Sequence, residues 1–155
     1  MNSRLALTFT FIGHALMHMF AAFYFVIVLA IEEEWKISYD ELIRLWTIGA
    51  LLIGLGAIPA GWLSDKWSRS GTMTIMFIGM GLASIFCGLS TSVSYLFFSL
   101  SLLGLFCSIY HPLGIPWVIH AAHKQGRALA VNGIFGGVRI GTGAFIAGTM
   151  TGLLD

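Results

Sequence analysis

The sequence of 155 residues has few charged side chains, few cysteines and no long polar segment. Only 10% of its residues are charged, which excludes an ordinary soluble domain. Its two cysteines, Cys87 and Cys107, lie in apolar stretches without a metal-type spacing, so we expect no disulfide framework, metal or cofactor. No segment between apolar stretches exceeds eight residues, which leaves no room for a soluble catalytic domain or a nucleic-acid-binding domain. We therefore expect a protein that is not an enzyme.

Apolar residues make up most of the chain, at 57%, and the mean hydropathy is +0.89. A membrane core of roughly 30 Å requires about 20 apolar residues in a helix. Five stretches meet this length: 5–31, 40–63, 72–90, 94–119 and 128–153. Helices satisfy their own backbone groups in lipid, and no alternating pattern typical of a membrane barrel is present. The sequence predicts an all-α bundle of five transmembrane helices, forming a single transmembrane domain over residues 1–155.

The distribution of basic residues predicts the orientation in the membrane. With five crossings, one side carries five bases: Arg4, Lys66, Arg69, Lys124 and Arg127. Lys36 and Arg44 flank the other side. Because basic residues favour the cytoplasmic side, we expect a multi-pass protein of the plasma (inner) membrane with its N-terminus in the cytoplasm and its C-terminus outside.

Four ionisable residues lie deep inside the predicted helices. Counting about 1.5 Å per residue from the helix ends places His14, His18, His111 and Arg139 in one layer near the midplane. His14 and His18 are four residues apart and so share one face of the first helix. Pro112 directly follows His111, which predicts a kink or break in the fourth helix.

These residues have two interpretations. In the first, they line a polar cavity for substrate binding and translocation, because an arginine in the bilayer costs about 2.5–3.5 kcal/mol unless it faces protein or water. A cation there favours an anionic or strongly dipolar small molecule, and histidine can exchange a proton near neutral pH. In the second, the histidines bond to neighbouring backbone carbonyls and Arg139 caps a broken helix, without any ligand.

The fifth predicted helix is rich in glycine. On a helical projection, Gly133, Gly137, Gly141 and Gly148 fall within about a quadrant of its surface. Such small residues allow helices to approach closely in a membrane, so we assign these glycines to helix packing. Arg139 projects from nearly the opposite face.

The segment between the second and third helices, GWLSDKWSRS from Gly61 to Ser70, carries a family signature. It resembles the G-x-L-[AS]-D-[RK]-x-[GS]-R-[RK] motif of the major facilitator superfamily and departs from it only at the last position. The resemblance implies that Gly61, Asp65, Lys66 and Arg69 form a conformational latch that grips the other half of a carrier. A solvated turn obeying the positive-inside rule explains Lys66 and Arg69 equally well, but does not by itself explain Asp65.

A second segment, YHPLG from Tyr110 to Gly114, resembles the Y-H-P-x-G motif in the fourth helix of a prokaryotic subgroup of that family. The resemblance covers helices 1–5 of a twelve-helix carrier with its site between two halves near the midplane. It implies that the chain is the N-terminal part of a secondary active transporter working by alternating access. The C-terminal half is then either missing because the gene product is truncated, or supplied by a second chain.

Two alternatives to transport remain open from the sequence. His14 and His111 lie at similar depth on different helices and are able to supply two axial ligands in a haem-binding membrane anchor of a redox enzyme. A non-transporting membrane assembly factor with a carrier fold is the other alternative, because fold does not fix function. The sequence leaves the substrate, the direction of transport and the coupling ion open.

Overall fold

A computed structural model describes residues 3–137 together with Thr142, Phe145, Ile146 and Thr149, and the regular structure of this part of the chain is entirely α-helical. The helices are α1 (Ser3–Trp35), α2 (Tyr39–Arg44), α3 (Trp46–Leu55), α4 (Ala57–Lys66), α5 (Arg69–Gly88), α6 (Val93–Cys107), α7 (Tyr110–Ala121) and α8 (Gln125–Gly137). The all-α class predicted from composition and periodicity is confirmed.

Four helical segments are long and apolar enough to cross a membrane. They are span 1 (Ser3–Trp35), span 2 (Tyr39–Lys66, comprising α2 to α4), span 3 (Arg69–Gly88) and span 4 (Val93–Ala121, comprising α6 and α7). The predicted fifth crossing begins as α8, and the continuously described chain ends at Gly137, before that crossing would be complete. The protein is therefore a multi-pass membrane helix bundle.

Two of the spans are interrupted three or four residues before a proline, and we call the missing helical hydrogen bond a break. Pro59 has no N–H to donate to the carbonyl of Leu55, so span 2 has a break beside Gly56, whose backbone keeps helical angles. Pro112 stands in the same relation to Ser108, and span 4 is broken at Ser108 and Ile109. The break predicted next to His111 is confirmed, whereas the break at Gly56 was not predicted.

Span 1 is longer than predicted at its far end. Helix α1 continues through Glu32, Glu33 and Glu34 to Trp35, because glutamate is a good helix former and the end of the helix need not be apolar. Lys36, at a φ of 57°, has the left-handed conformation that commonly ends a helix. The Glu32 carboxylate then accepts a hydrogen bond from the Tyr39 N–H at 2.9 Å, which fixes the start of span 2 against the end of span 1.

The connection between spans 2 and 3 is much shorter than the eight residues predicted. Only Trp67 and Ser68 separate α4 from α5. The Ser68 hydroxyl accepts from the Gly71 N–H at 3.1 Å and so caps the start of α5. The Trp67 ring covers Gly71, where an added Cβ would lie 2.7 Å from the ring. Both helices extend into the segment that the sequence assigned to the connection.

The contact between α3 and α6 is made by glycine. A Cβ added to Gly104 would overlap the backbone carbonyl of Gly49, so the two helices touch backbone to backbone. A Cβ added to Gly79 of α5 would likewise overlap the Phe106 ring of α6. Helices α3 and α6 thus approach as closely as their backbones allow, whereas α5 packs against α6 through the Phe106 side chain.

Helix α1 packs against α7 and α8 near its middle. Gly13 of α1 leaves space for Met76 and Tyr110, and an added Cβ there would lie 3.1 Å from the Met76 methyl group and 3.4 Å from the Tyr110 ring. The next residue, His14, is buried between the three helices. This contact positions the polar residues of the candidate site.

Candidate functional site

Three histidines from two helices converge near the middle of the bundle. His14 and His18 lie one turn apart on α1, and His111 is the second residue of α7, directly after the break in span 4. Each offers one ring nitrogen, and these three atoms lie within 4.8 Å of one another. We call His14, His18 and His111 the histidine cluster.

His14 is the most enclosed member of the cluster, at 8% exposure. Its Nδ1 lies 2.7 Å from the backbone carbonyl oxygen of Asn132. Because a carbonyl oxygen can only accept, the hydrogen is on Nδ1 and donates to it. The His14 Nε2 is then the acceptor, and the His18 Nε2, 3.1 Å away, donates to it.

Helix α8 approaches His14 through a glycine. An added Cβ at Gly136 would lie 2.5 Å from Cε1 of the His14 ring and 2.6 Å from its Nε2. A larger residue at this position would push α8 away from the ring and lengthen the bond from His14 to the Asn132 carbonyl. Gly136 therefore helps to hold His14 in place.

Tyr110 and Asn132 hold His14 in place through ring stacking and hydrogen bonds. The Tyr110 ring stacks on the His14 ring, with centroids 4.7 Å apart and planes 12° from parallel. Its hydroxyl donates to Oδ1 of Asn132 at 2.7 Å, and the exposed fractions of these two residues are 0% and 1%. Asn132 thus accepts from His14 with its backbone and from Tyr110 with its side chain. Neither residue was among the predicted site residues. The amide of Asn132 and the hydroxyl of Tyr110 are polar groups in apolar segments, and such groups are a detectable signal.

His18 and His111 line an open cavity of about 380 Å³. Their ring centroids lie 5.6 Å apart, and that of His111 lies 5.7 Å from that of His14. The other lining residues are apolar: Met17, Ala21, Ala22, Phe25, Trp46 and Ile53. The cavity therefore combines apolar walls with a polar edge formed by two members of the histidine cluster.

Of the four residues predicted to line a midplane cavity, the structure brings the three histidines together. His14 is bonded to a backbone carbonyl, as the ligand-free interpretation expected, whereas His18 and His111 face the cavity. Arg139 lies outside the described residues, and its place in the site stays a prediction.

The predicted latch residues lie at the connection between α4 and α5, separate from the histidine cluster. Asp65 and Lys66 are exposed at the end of α4, and Arg69 is half-buried at the start of α5. Gly61 instead faces Pro112 of α7, where an added Cβ would lie 3.3 Å from the proline Cβ. The structure therefore gives Gly61 a packing contact between spans 2 and 4.

The predicted glycine seam is not the surface through which α8 contacts α1. Gly133 and Gly137 are exposed, and a Cβ added to either would meet nothing within 4 Å. The close approach is made instead by Gly136, which the predicted seam did not include. Gly141 and Gly148 lie outside the described residues, so packing along the seam stays a prediction.

Comparison with known proteins identifies one family. The model of the Major Facilitator Superfamily matches residues 10–155, which include the histidine cluster and the α4–α5 connection. No curated protein matches the chain. The family match agrees with the resemblance of the Gly61–Ser70 segment, and it does not test the prokaryotic subgroup suggested by the Tyr110–Gly114 segment.

Proposed function

Because this chain belongs to the major facilitator superfamily, a family of membrane transporters, we propose that it forms the N-terminal part of a secondary carrier for a small solute. Alternating access is the mechanism in this proposal. The solute passes through the cavity beside spans 1, 2 and 4, and the histidine cluster forms its polar contact point.

One observation carries the proposal: two histidines form the polar edge of an otherwise apolar cavity near the middle of the spans. Ionisable side chains are costly in the bilayer and are retained mainly where they face protein or a water-filled path. The break in span 4 ends two residues before His111, and interrupted helices commonly build the sites of secondary carriers.

The three histidines have different roles in this proposal. His14 is fixed by the Asn132 carbonyl and the Tyr110 ring, so it is the immobile member of the cluster. His18 and His111 face the cavity and contact the solute. Arg139, which the sequence predicts deep in the fifth helix, completes the site in this proposal.

A second wall is required to close the cavity. Its lining comes from α1, α3 and α7, and the remaining side is open in the described part of the chain. We assign the other wall to further helices, on the same polypeptide or on a second chain. Asp65, Lys66 and Arg69 would form the latch to these helices, and the exposure of Asp65 and Lys66 at the end of α4 supports that role.

The orientation follows from the basic residues. Lys66 and Arg69 lie within three residues of each other at one end of spans 2 and 3. The positive-inside rule then places this end and the N-terminus in the cytoplasm of a cell whose plasma membrane holds the carrier. The haem-anchor alternative gains no support from the family match.

Cysteine accessibility tests the proposed path without knowledge of the solute. In a background with Cys87→Ser and Cys107→Ala, Ala21→Cys places a thiol on the cavity wall. The matched control is Ile78→Cys, the tenth of 20 residues in α5, which is 58% exposed on the bundle surface and so faces lipid. The probe is a charged, membrane-impermeant methanethiosulfonate, added to right-side-out and inside-out vesicles.

We expect Ala21→Cys to react about tenfold faster or more than Ile78→Cys, because the reactive thiolate forms only in contact with water. Alternating access further requires that the reagent reaches Ala21→Cys from both sides of the membrane. Equal, slow rates for the two variants would contradict a water-accessible path at the histidine cluster.

A further inference from the structure

We propose that the histidine cluster binds a divalent transition-metal ion of the zinc class, with one coordination position open to the cavity, and that this ion is the solute. The second part of the inference rests on the proposed function, because it needs the cavity to be a translocation path. The first part rests only on the three ring nitrogens that lie within 4.8 Å of one another. No metal site was expected from the sequence, in which His111 is 93 residues from His18.

The hydrogen bond at His14 prepares this residue for metal binding. A histidine that ligates a metal usually donates its other ring N–H to a carboxylate or a backbone carbonyl, which fixes its tautomer and orientation. His14 makes this bond from Nδ1 to the Asn132 carbonyl at 2.7 Å. Its Nε2 lone pair therefore points toward His18, where a metal ion would be shared.

The spacing of the cluster fits a tetrahedral ion after a small adjustment. Bonds of about 2.0–2.1 Å to zinc place two ligand nitrogens about 3.3 Å apart. The two Nε2 atoms of His14 and His18 are 3.1 Å apart, close to that value. His18 now donates from Nε2, so on binding its hydrogen would move to Nδ1 by exchange with water, which leaves the Nε2 lone pair for the ion.

His111 supplies the third ligand and the required mobility. Its side chain is exposed, so its ring can turn toward the other two rings without displacing a buried side chain. Structural zinc sites are closed by four protein ligands, whereas a site with three protein ligands keeps a position for water or another ligand. The three-ligand cluster beside an open cavity thus leaves one position of the ion open to water or to another ligand.

The ligand set also selects the class of ion. Imidazole nitrogens favour zinc, copper, nickel and other transition metals, whereas calcium and magnesium require oxygen ligands. The group contains three histidines and no carboxylate or thiolate. The positive charge of the ion is therefore left uncompensated by its ligands.

Metal titration of the purified full chain, carrying an affinity tag without histidine, tests the site. The probes are Co²⁺, followed by its visible absorption, and Zn²⁺, followed by calorimetry and by displacement of Co²⁺. We expect one equivalent of either ion to bind. His18→Ala and His111→Ala should each weaken Zn²⁺ binding by about 10- to 100-fold or more, the range measured when even a supporting residue is removed.

His120 and His123 provide the matched control. Both are exposed near the end of α7 and belong to no such group in the described part of the chain, so the double variant His120→Ala/His123→Ala should bind Zn²⁺ as the parent does. Unchanged Zn²⁺ affinity in His18→Ala and His111→Ala, or loss of binding in the control, would overturn the site. His111 is exposed, so His111→Ala keeps the test valid even if variants of the buried His14 fail to fold.

The metal proposal and the proposed function fail in different ways. A reactive Ala21→Cys without Zn²⁺ binding would leave the path standing and overturn the metal site. Zn²⁺ binding with an unreactive Ala21→Cys would leave the metal site standing and overturn the role of the ion as solute. Zn²⁺ binding together with a reactive Ala21→Cys would support both parts of the proposal.

Discussion

The contact of α3 with α6 and the contact of α1 with α7 and α8 hold helices together in opposite ways. At the first, the backbones of Gly49 and Gly104 touch, and neither helix carries an acidic, basic or histidine side chain. At the second, His14 bonds to a backbone carbonyl of another helix and stacks on Tyr110, whose hydroxyl bonds to Asn132. We call them the glycine contact and the polar contact.

The difference between the two contacts follows from the lipid that surrounds the helices. Lipid gives little hydrophobic drive for helices to associate, so stability comes from close van der Waals packing, which small residues permit. Polar side chains add less, about 0.6 kcal/mol on average for an interhelical hydrogen bond, but they are costly when left without a partner. The glycine contact therefore stabilises the bundle, and the polar contact holds the side chains that can bind a ligand.

The largest effect should come from filling the glycine contact. In Gly104→Ala the new methyl group meets the Gly49 carbonyl, which is backbone and cannot rotate away, so α3 and α6 must separate. We expect a loss of about 2–3 kcal/mol in the free energy of unfolding. Unfolding by SDS titration in mixed micelles measures it.

Gly54→Ala is the control for this prediction. Gly54 lies on the same helix as Gly49, but an added Cβ there meets nothing within 4 Å, so its stability should change by no more than about 0.5 kcal/mol. Equal effects of the two substitutions would show that helix propensity, and not close packing, dominates this interface.

An intermediate effect should come from breaking one bond of the polar contact. Asn132→Leu removes the acceptor of the Tyr110 hydroxyl, which is fully buried and cannot bond to water instead. We expect a loss of about 1–3 kcal/mol, because the hydroxyl is left without a partner. The same SDS titration applies.

The double variant Asn132→Leu/Tyr110→Phe distinguishes the hydrogen bond from simple packing. It removes both partners and should recover much of the stability that Asn132→Leu loses. If the double variant loses as much stability as Asn132→Leu and Tyr110→Phe lose in sum, the bond between Tyr110 and Asn132 contributes nothing to the contact.

The two contacts also differ in how far the sequence predicts them. The number of described spans and the break beside Pro112 follow from hydropathy and from the missing N–H of proline. The break at Gly56 follows from the same rule applied to Pro59, and it was overlooked. The glycine contact was not predicted, because which glycines meet depends on the rotation and depth of both helices.

The polar contact was predicted in part. The spacing of His14 and His18 fixes one face of α1, and counting depth brings His111 to their level. The sequence does not show that Asn132 meets His14 through its backbone, because any residue has a carbonyl. The glycine seam was predicted from one helix alone, whereas α8 contacts α1 through Gly136, and no single-helix pattern reveals which face a neighbour occupies.

The smallest effect should come from Gly133→Ala. Gly133 is exposed and an added Cβ meets nothing within 4 Å, so the substitution disturbs neither contact. We expect the free energy of unfolding to change by no more than about 0.5 kcal/mol. A loss above about 1 kcal/mol would show instead that the seam beginning at Gly133 packs against another helix.

The two-residue connection of Trp67 and Ser68 has a consequence for biosynthesis. With the ends of α4 and α5 joined by only two residues, neither span can reverse its direction in the membrane alone. We therefore expect spans 2 and 3 to insert as one hairpin. In the orientation that we propose, Lys66 and Arg69, on either side of its tip, lie on the side where the ribosome works.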